Sequence, residues 1–364
     1  MMTSVPIFTR TDSIARDWDI DDEVIRLREW STGSVHQLPE APDDALTVGA
    51  AGTCSIRLND PSGRVSRLHA HLVKDQTKWS IRDAGSKNGL RGDGVQRREL
   101  LLEPGVEIGI GGVTLVAESS RSFELRCFLA RLLGWSESRT EVVDQALRSV
   151  RASAARRSAL VLCGEGDLVP TARSIHRHSR GTDRPFVVCD PRRNTGKATV
   201  RSAENWSTGM AALAAAAGGT LCVRSQRLPP DFRDLTEALG SPTSRVQLVV
   251  CAASLEESEL YRVMPIVIPP LASRGAEIDH VITEFADEAM LTLCTPRSLF
   301  LPIDRAWIRE HASSSLPEIE KATLRLVALR ASRNLSNAAA RLGMAPVSLS
   351  RWIGRRRMPM EIIQ

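Results

Sequence analysis

No apolar run in this chain of 364 residues approaches the roughly 20 residues that a helix needs to cross a bilayer. The first residues also lack the apolar stretch of a secretory leader. The expectation is a cytoplasmic protein without a membrane partner. A cysteine framework is missing as well. There are seven cysteines but no Cys-x-x-Cys pair, and Cys163, Cys189, Cys222 and Cys251 each end an apolar run. That placement predicts buried free thiols in a reducing compartment. His36, His71, His280 and His311 are scattered without ligand spacing, and His176 and His178, two apart, do not share a helix face. No nucleophile–base or paired-carboxylate arrangement follows from residue order. The sequence therefore predicts no catalytic residue, no metal and no cofactor.

What is present is ordinary globular composition, with 42% apolar and 25% charged residues. The length suits two to four domains. The net charge of +5 is modest, and its basicity is concentrated at the C-terminus. The pattern divides the chain into five stretches. Residues 1–20 read as a flexible arm, 21–118 as β-rich with short strands and turns, and 119–157 as a helical linker. Residues 158–295 alternate strand and helix, and 303–357 are all helical. The expected fold class is thus multidomain: an all-β sandwich, an α/β core with a parallel sheet, and an all-α C-terminal bundle.

The most specific stretch is Asn334 to Ile353. Leu335, Ala338, Ala339 and Leu342 have the spacing of one helix face. Gly343 follows where a left-handed turn residue is needed, and Pro346 suits the first position of a second helix. Leu349, Trp352 and Ile353 would form that helix's inner face. The pattern is a helix-turn-helix, leaving Val347, Ser348, Arg351 and Arg355 free for a DNA major groove, with Arg356 and Arg357 extending the basic run. A hairpin that only packs is the alternative. Through Ala339-Ala340-Arg341-Leu342-Gly343 and Leu349, Arg351, Trp352 and Ile353, the stretch resembles the Fis-type helix-turn-helix that closes many sigma-54-dependent activators. That resemblance implies DNA as a partner. It also implies a dimer through the helix carrying Ile319, Ala322, Leu326 and Leu329, whose other reading is the third helix of a monomeric bundle.

In the β-rich stretch, strands are expected at Leu46–Val48, Ser55–Leu58, Ala70–Val73, Lys78–Arg82, Val106–Ile108 and Val113–Val116. Ser66-Arg67-Leu68-His69-Ala70, Trp79, Ser86-Lys87-Asn88-Gly89 and the Leu102–Gly109 segment occur in an order that resembles the forkhead-associated (FHA) domain, over about residues 25–118. This family is a sandwich whose loops bind phosphothreonine peptides. The resemblance implies that Ser66 donates to the phosphate, that Asn88 holds the peptide backbone, and that His69 and Gly89 shape the loops. Two positions depart from the family. Ala50 follows Gly49 where an arginine is usual, and Lys87 replaces a threonine. Lys87, Arg64 and Arg67 would then supply charge to the phosphate. The other reading is a sandwich that kept its turns and lost its ligand.

Between 158 and 295, apolar runs at Ala159–Cys163, Phe186–Cys189, Thr220–Val223, Val246–Cys251 and Pro265–Ile268 predict a parallel sheet covered on both faces. The first run leads into the turn Gly164-Glu165-Gly166-Asp167. The segment Ala172-Arg173, Ile175-His176, His178-Ser179, then Gly218-Gly219-Thr220-Leu221 and Tyr261-Arg262, resembles the AAA+ domain of sigma-54-dependent activators over about residues 158–290. The working parts of that family are replaced. The turn lacks Gly-Lys-Ser/Thr, Arg224 and Ser225 stand where acidic residues hold magnesium, and the sigma-contacting loop has no counterpart between Cys189 and Gly218. Thr195-Gly196-Lys197 does not supply the missing phosphate loop. The expectation is a degenerate, non-hydrolysing core.

Together these readings predict a DNA-binding transcription regulator with a phosphothreonine-type input. Its partners are DNA, a phosphorylated protein, RNA polymerase, and further copies of itself as a homodimer or larger assembly. The alternatives are a phosphoprotein-binding scaffold without specific DNA binding, and a sigma-54 activator with residual ATP binding.

Overall fold

The computed structural model describes residues 23–356 and 358, apart from 43, 157, 199–201, 242 and 260. The expected arm at 1–20 and Arg357 lie outside the described residues. The chain forms two compact units, the first built on residues up to Cys127 and the second mainly on those that follow.

The first unit is a sandwich of eleven strands. They are β1 (Val24–Glu29), β2 (Val35–Gln37), β3 (Leu46–Gly49), β4 (Ile56–Arg57), β5 (Ala70–Asp75), β6 (Lys78–Asp83), β7 (Leu90–Gly92), β8 (Val95–Arg97), β9 (Glu99–Leu101), β10 (Glu107–Ile110) and β11 (Val113–Ser119). One sheet runs β2-β1-β11-β10-β7-β8 and the other β4-β3-β5-β6-β9. Period-two alternation decides what goes inside. In β6, Trp79 and Ile81 are buried between the outward Lys78, Ser80 and Arg82. They join Leu27, Leu58, Leu72, Leu90, Ile108, Ile110 and Leu115 in the core. Gly49 is required where β3 meets the loop before β5, because a Cβ there would lie 2.2 Å from the Arg67 carbonyl oxygen.

All six strands expected in this unit are present. β1 escaped the pattern because its polar residues are inside. Arg28 is 2% exposed and donates to Glu118 on β11 at 2.7 Å, so an ion pair replaces the usual apolar face. β7, β8 and β9 are three residues each, too short to show a period, and β8 and β9 are mostly exposed.

Helices α1 (Ser120–Leu133) and α2 (Thr140–Arg156) follow. The second unit contains a six-stranded parallel sheet of β12 (Leu160–Cys163), β13 (Phe186–Cys189), β14 (Glu204–Trp206), β15 (Thr220–Arg224), β16 (Gln247–Ala252) and β17 (Ile266–Val267), in the order β14-β13-β15-β16-β12-β17. Its crossovers carry α3 (Val169–Arg180), α4 (Gly209–Ala215), α5 (Phe232–Leu239) and α6 (Leu255–Glu259). Every residue of β12 and β16 is buried, which is why these strands read as apolar runs, broken only by Gln247 at the start of β16. β14 was not expected, since Glu204-Asn205-Trp206 has no such run.

The C-terminal region is helical: α7 (Ile278–Thr292), α8 (Pro302–His311), α9 (Leu316–Arg330), α10 (Leu335–Arg341) and α11 (Pro346–Arg355). α7, on the α/β side of the expected boundary at 295, packs on α8 and α9 through a core that includes Ala286, Ala289, Met290 and Val327. Ile319, Ala322, Leu326 and Leu329 of α9 are buried inside the chain, so the face assigned to dimerisation serves the bundle instead. No helix among the described residues is long and apolar enough to cross a membrane.

Candidate functional site

Three loop clusters carry the residues singled out in the sequence. The first lies on the sandwich, where the loop before β5 meets the turn after β6. Asp60 organises the incoming loop. Its carboxylate accepts from the Ser62 hydroxyl at 2.6 Å and from the backbone N–H groups of Ser62, Arg64, Val65 and Gly112 at 2.8–3.1 Å. These donors, the Ser62 hydroxyl foremost, outweigh the opposing desolvation and hold its pKa far below the ordinary carboxylate value. Across the gap, Asp83 accepts from the Ser86 hydroxyl at 2.5 Å, and Ser86 Oγ accepts from Gly89 N–H at 2.9 Å, which shapes the turn Asp83–Gly89.

Three bonds tie loop to turn. The buried His69 accepts from Ser66 N–H at its Nδ1, 3.0 Å, and its Nε2 lies 3.1 Å from the Gly89 carbonyl. This pairing fits the neutral ring with its proton on Nε2. Asn88 Nδ2 donates to the Arg64 carbonyl at 2.7 Å. Ser66 Oγ accepts from Lys87 N–H at 3.2 Å, which leaves its own O–H to donate outward. Arg64, Arg67, Lys87 and Asn88 are all exposed, and Ser66 is half-buried. Among the described residues, the Arg64, Arg67 and Lys87 side chains have no hydrogen-bond or ion-pair partner. Ala50, directly after Gly49, packs its methyl against the sandwich core. Asp60 was missed at the sequence level, although Asn59-Asp60-Pro61-Ser62-Gly63 is a turn signature.

The second cluster sits at the C-terminal ends of the parallel strands, the usual place for a ligand in such a sheet. A cleft of about 370 Å³ there is lined by Gly166, Asp167, Arg193, Arg224, Ser225 and Arg227, among others. Of the expected loop Gly164, Glu165, Gly166 and Asp167, the last two line the cleft, and Gly166 has a left-handed φ of 83°. Arg224 fills the mouth. It bridges Asp167 at 2.9 Å and the fully buried Asp190 at 3.0 Å, and Arg227 reaches the same Asp190 oxygen at 3.2 Å. Burial opposes the Arg224 charge, but Asp167 and Asp190 outweigh it and raise its pKa above the ordinary value. Asp167, from the turn that lacks a phosphate-binding lysine, is therefore a salt-bridge partner. Its pairing with Arg224 spans 57 positions and has no local signal. Among the described residues, no group of three or more His, Cys, Asp or Glu could hold a metal ion.

The third cluster is the C-terminal hairpin. Asn334 caps α10 by accepting from Asn337 N–H at 2.8 Å, and Gly343 takes the left-handed φ of 60°. Ala338, Ala339, Leu342, Leu349 and Trp352 are buried, while Val347, Ser348, Arg351 and Arg355 project outward. Arg356 departs from the expected outward row. Its guanidinium pairs with Glu318 and lies 5.3 Å from the Trp352 ring, where it pins α11 to α9.

Residues 46–111 match the FHA domain family. A structure described as an analysis of phosphothreonine-dependent FHA domain interactions is 24% identical. The match covers 26% of this chain and 93% of that one, with a TM-score of 0.23. EmbR of Mycobacterium tuberculosis, solved in complex with a low-affinity phosphopeptide, is 27% identical over 26% of this chain, with a TM-score of 0.24; this chain spans 24% of it. The FHA domain of the Chlamydia trachomatis protein CT664 is 22% identical, with 26% of this chain and 95% of that one covered and a TM-score of 0.24. No curated protein matches the chain.

Proposed function

Because residues 46–111 form an FHA domain, we propose that this chain is a cytoplasmic transcription regulator that reads a phosphothreonine on a protein partner and binds DNA through its C-terminal hairpin. The observation that carries the input side is the half-buried Ser66 hydroxyl, whose oxygen accepts from Lys87 N–H, together with three exposed cations, Arg64, Arg67 and Lys87, whose side chains have no hydrogen-bond or ion-pair partner among the described residues. A hydroxyl donor and guanidinium or ammonium groups together match a phosphate's acceptors and charge. Lys87 and the two arginines take the part of the arginine missing after Gly49. Asn88, already bonded to Arg64, offers its remaining amide positions to the peptide backbone.

The α/β core acts as a scaffold without ATP turnover. The position for a magnesium-binding carboxylate holds Arg224, whose charge is engaged by Asp167 and Asp190. The output surface is Val347, Ser348, Arg351 and Arg355, with self-association and RNA polymerase as further partners. A phosphoprotein scaffold without DNA binding is the second reading, favoured by the firm packing of Arg356 and Trp352 within the bundle.

Two substitution sets test the reading. Ser66→Ala should weaken a phosphothreonine peptide roughly 10- to 100-fold, the scale of a hydrogen bond to a charged group, while the sandwich stays folded. Unchanged affinity would remove Ser66 from the site. Arg351→Ala with Arg355→Ala should abolish enrichment on genomic fragments at near-physiological salt while the fold persists. Retained enrichment would leave the hairpin a packing element.

A further inference from the structure

Helical geometry orders the exposed residues of α11 more finely than exposure alone. At about 100° per residue, Val347, Arg351 and Gly354 fall within about 60° of one another. This stripe lies opposite the buried Leu349 and Trp352, so it is the part of the helix that stands farthest from the bundle. Ser350 runs along one side of it, and Ser348 and Arg355 along the other. All of these outer residues are exposed, Val347 by 59% although it is aliphatic. No acid lies on α11. Arg356 is turned inward to Glu318, whereas Arg351 and Arg355 have no hydrogen-bond or ion-pair partner among the described residues.

Gly354 is the unexpected member of the stripe. Its φ is not left-handed, and the helix continues through it to Arg355. A glycine with helical backbone lowers stability relative to alanine. No internal packing demands it: among the described residues, no atom lies within 4 Å of where a Cβ would stand. Gly49 and Gly219 differ, since a Cβ on either would run into a carbonyl oxygen of the chain itself. The space that Gly354 keeps open is therefore on the solvent side, in line with a free guanidinium and an exposed valine.

We propose that α11 seats deeply in a DNA major groove, that Arg351 reads a guanine and Val347 the 5-methyl group of a thymine, and that Gly354 supplies the clearance for this depth. The proposal rests on the DNA-binding reading above and gives it a base content. A guanidinium fork matches the O6 and N7 acceptors of guanine, and the thymine methyl is the apolar feature of the same groove. Backbone without a Cβ can lie close against the groove wall. Four residues advance about 6 Å along the helix and base pairs stack about 3.4 Å apart, so the two bases lie within about two base pairs of each other. Ser348, Ser350 and Arg355, on the flanks, meet phosphates and set the register without reading sequence.

The test selects duplexes with the full chain from a randomised pool at near-physiological salt, then alters single atoms of the selected site. The motif should hold a thymine and a guanine within about two base pairs. Uracil in place of that thymine removes only the methyl and should weaken binding about threefold, whereas 7-deazaguanine in place of that guanine removes N7 and should weaken it about tenfold. Val347→Ala should erase the uracil effect and keep the 7-deazaguanine effect, and Arg351→Ala should do the reverse. Gly354→Ala should raise the melting point by about 1–3 °C, as loss of a helical glycine does, yet weaken the selected duplex. Gly354→Leu should weaken it further, by about tenfold or more. Tighter folding with looser binding separates clearance for DNA from a role within the fold. A motif without such a pair of bases, or analogue effects that persist in both side-chain variants, overturns the base assignment and leaves DNA binding standing. Undiminished binding by Gly354→Leu overturns the deep seating. Failure to select any motif, with weak binding that salt removes, overturns the DNA reading itself.

Discussion

Two clusters of cations in this chain look alike in sequence and differ in structure. On the sandwich, Arg64, Arg67 and Lys87 stand exposed with no partner among the described residues. At the ends of the parallel strands, Arg224 and Arg227 are tied to Asp190, and Arg224 also to Asp167. The first cluster has donors to spare for an anion, whereas the second has already acquired its anions from its own chain. The number of basic residues near a glycine-rich turn is therefore a poor guide to a ligand site. What decides is whether the compensating carboxylate comes from the fold or from outside.

Substitutions sharpen this contrast. The largest effect is expected from Asp190→Ala, since that carboxylate is fully buried and pairs with three guanidinium groups, those of Arg193, Arg224 and Arg227. Removing it should cost on the order of 2–3 kcal/mol, the low side for a broken buried pair, because Arg224 keeps Asp167 and Arg227 is partly solvated. Calorimetry should show a melting point lower by about 5–10 °C; an unchanged melting point would mean that the cleft is not closed by these pairs. The counterpart on the sandwich is Asp60. Its folded pKa is depressed, so its stabilising contribution is complete above the ordinary carboxylate range and is lost as pH falls below about 4. An acid titration of the first unit's unfolding should show that loss, and Asp60→Asn should flatten it while lowering stability at neutral pH. The smallest expected effect is on nucleotide binding. Millimolar ATP with magnesium should leave the melting point unchanged, whereas a ligand at 100 times its dissociation constant would add about 2.7 kcal/mol. A clear upward shift would contradict the self-neutralised cleft.

Legibility from sequence followed the same division. Strands buried on both faces, such as Leu160–Cys163 and Gln247–Ala252, announced themselves as apolar runs. The turn residues of the sandwich placed Ser66, Lys87 and Asn88 in loops. Failures came where polar groups are buried in pairs or where the partner is distant. β1 hides Arg28 against Glu118, and β14 is polar because the Asn205 amide is spent on the carbonyls of Asp190, Arg193 and Asn194. Arg356 belonged to a basic run by sequence, yet Glu318, 38 residues earlier, holds it inward. No local periodicity reports such pairings.

The ring of His69 has a consequence for how fast a ligand is captured. One imidazole joins the backbone of Ser66 to that of Gly89, so the loop before β5 and the turn after β6 move as a single body. Under the proposed reading, an arriving peptide would meet a surface whose shape is already set, with little ordering entropy left to lose on contact. Encounter then depends on diffusion and charge attraction rather than on waiting for two loops to find each other, and the lifetime of the complex becomes the main quantity left for sequence differences among partners to tune.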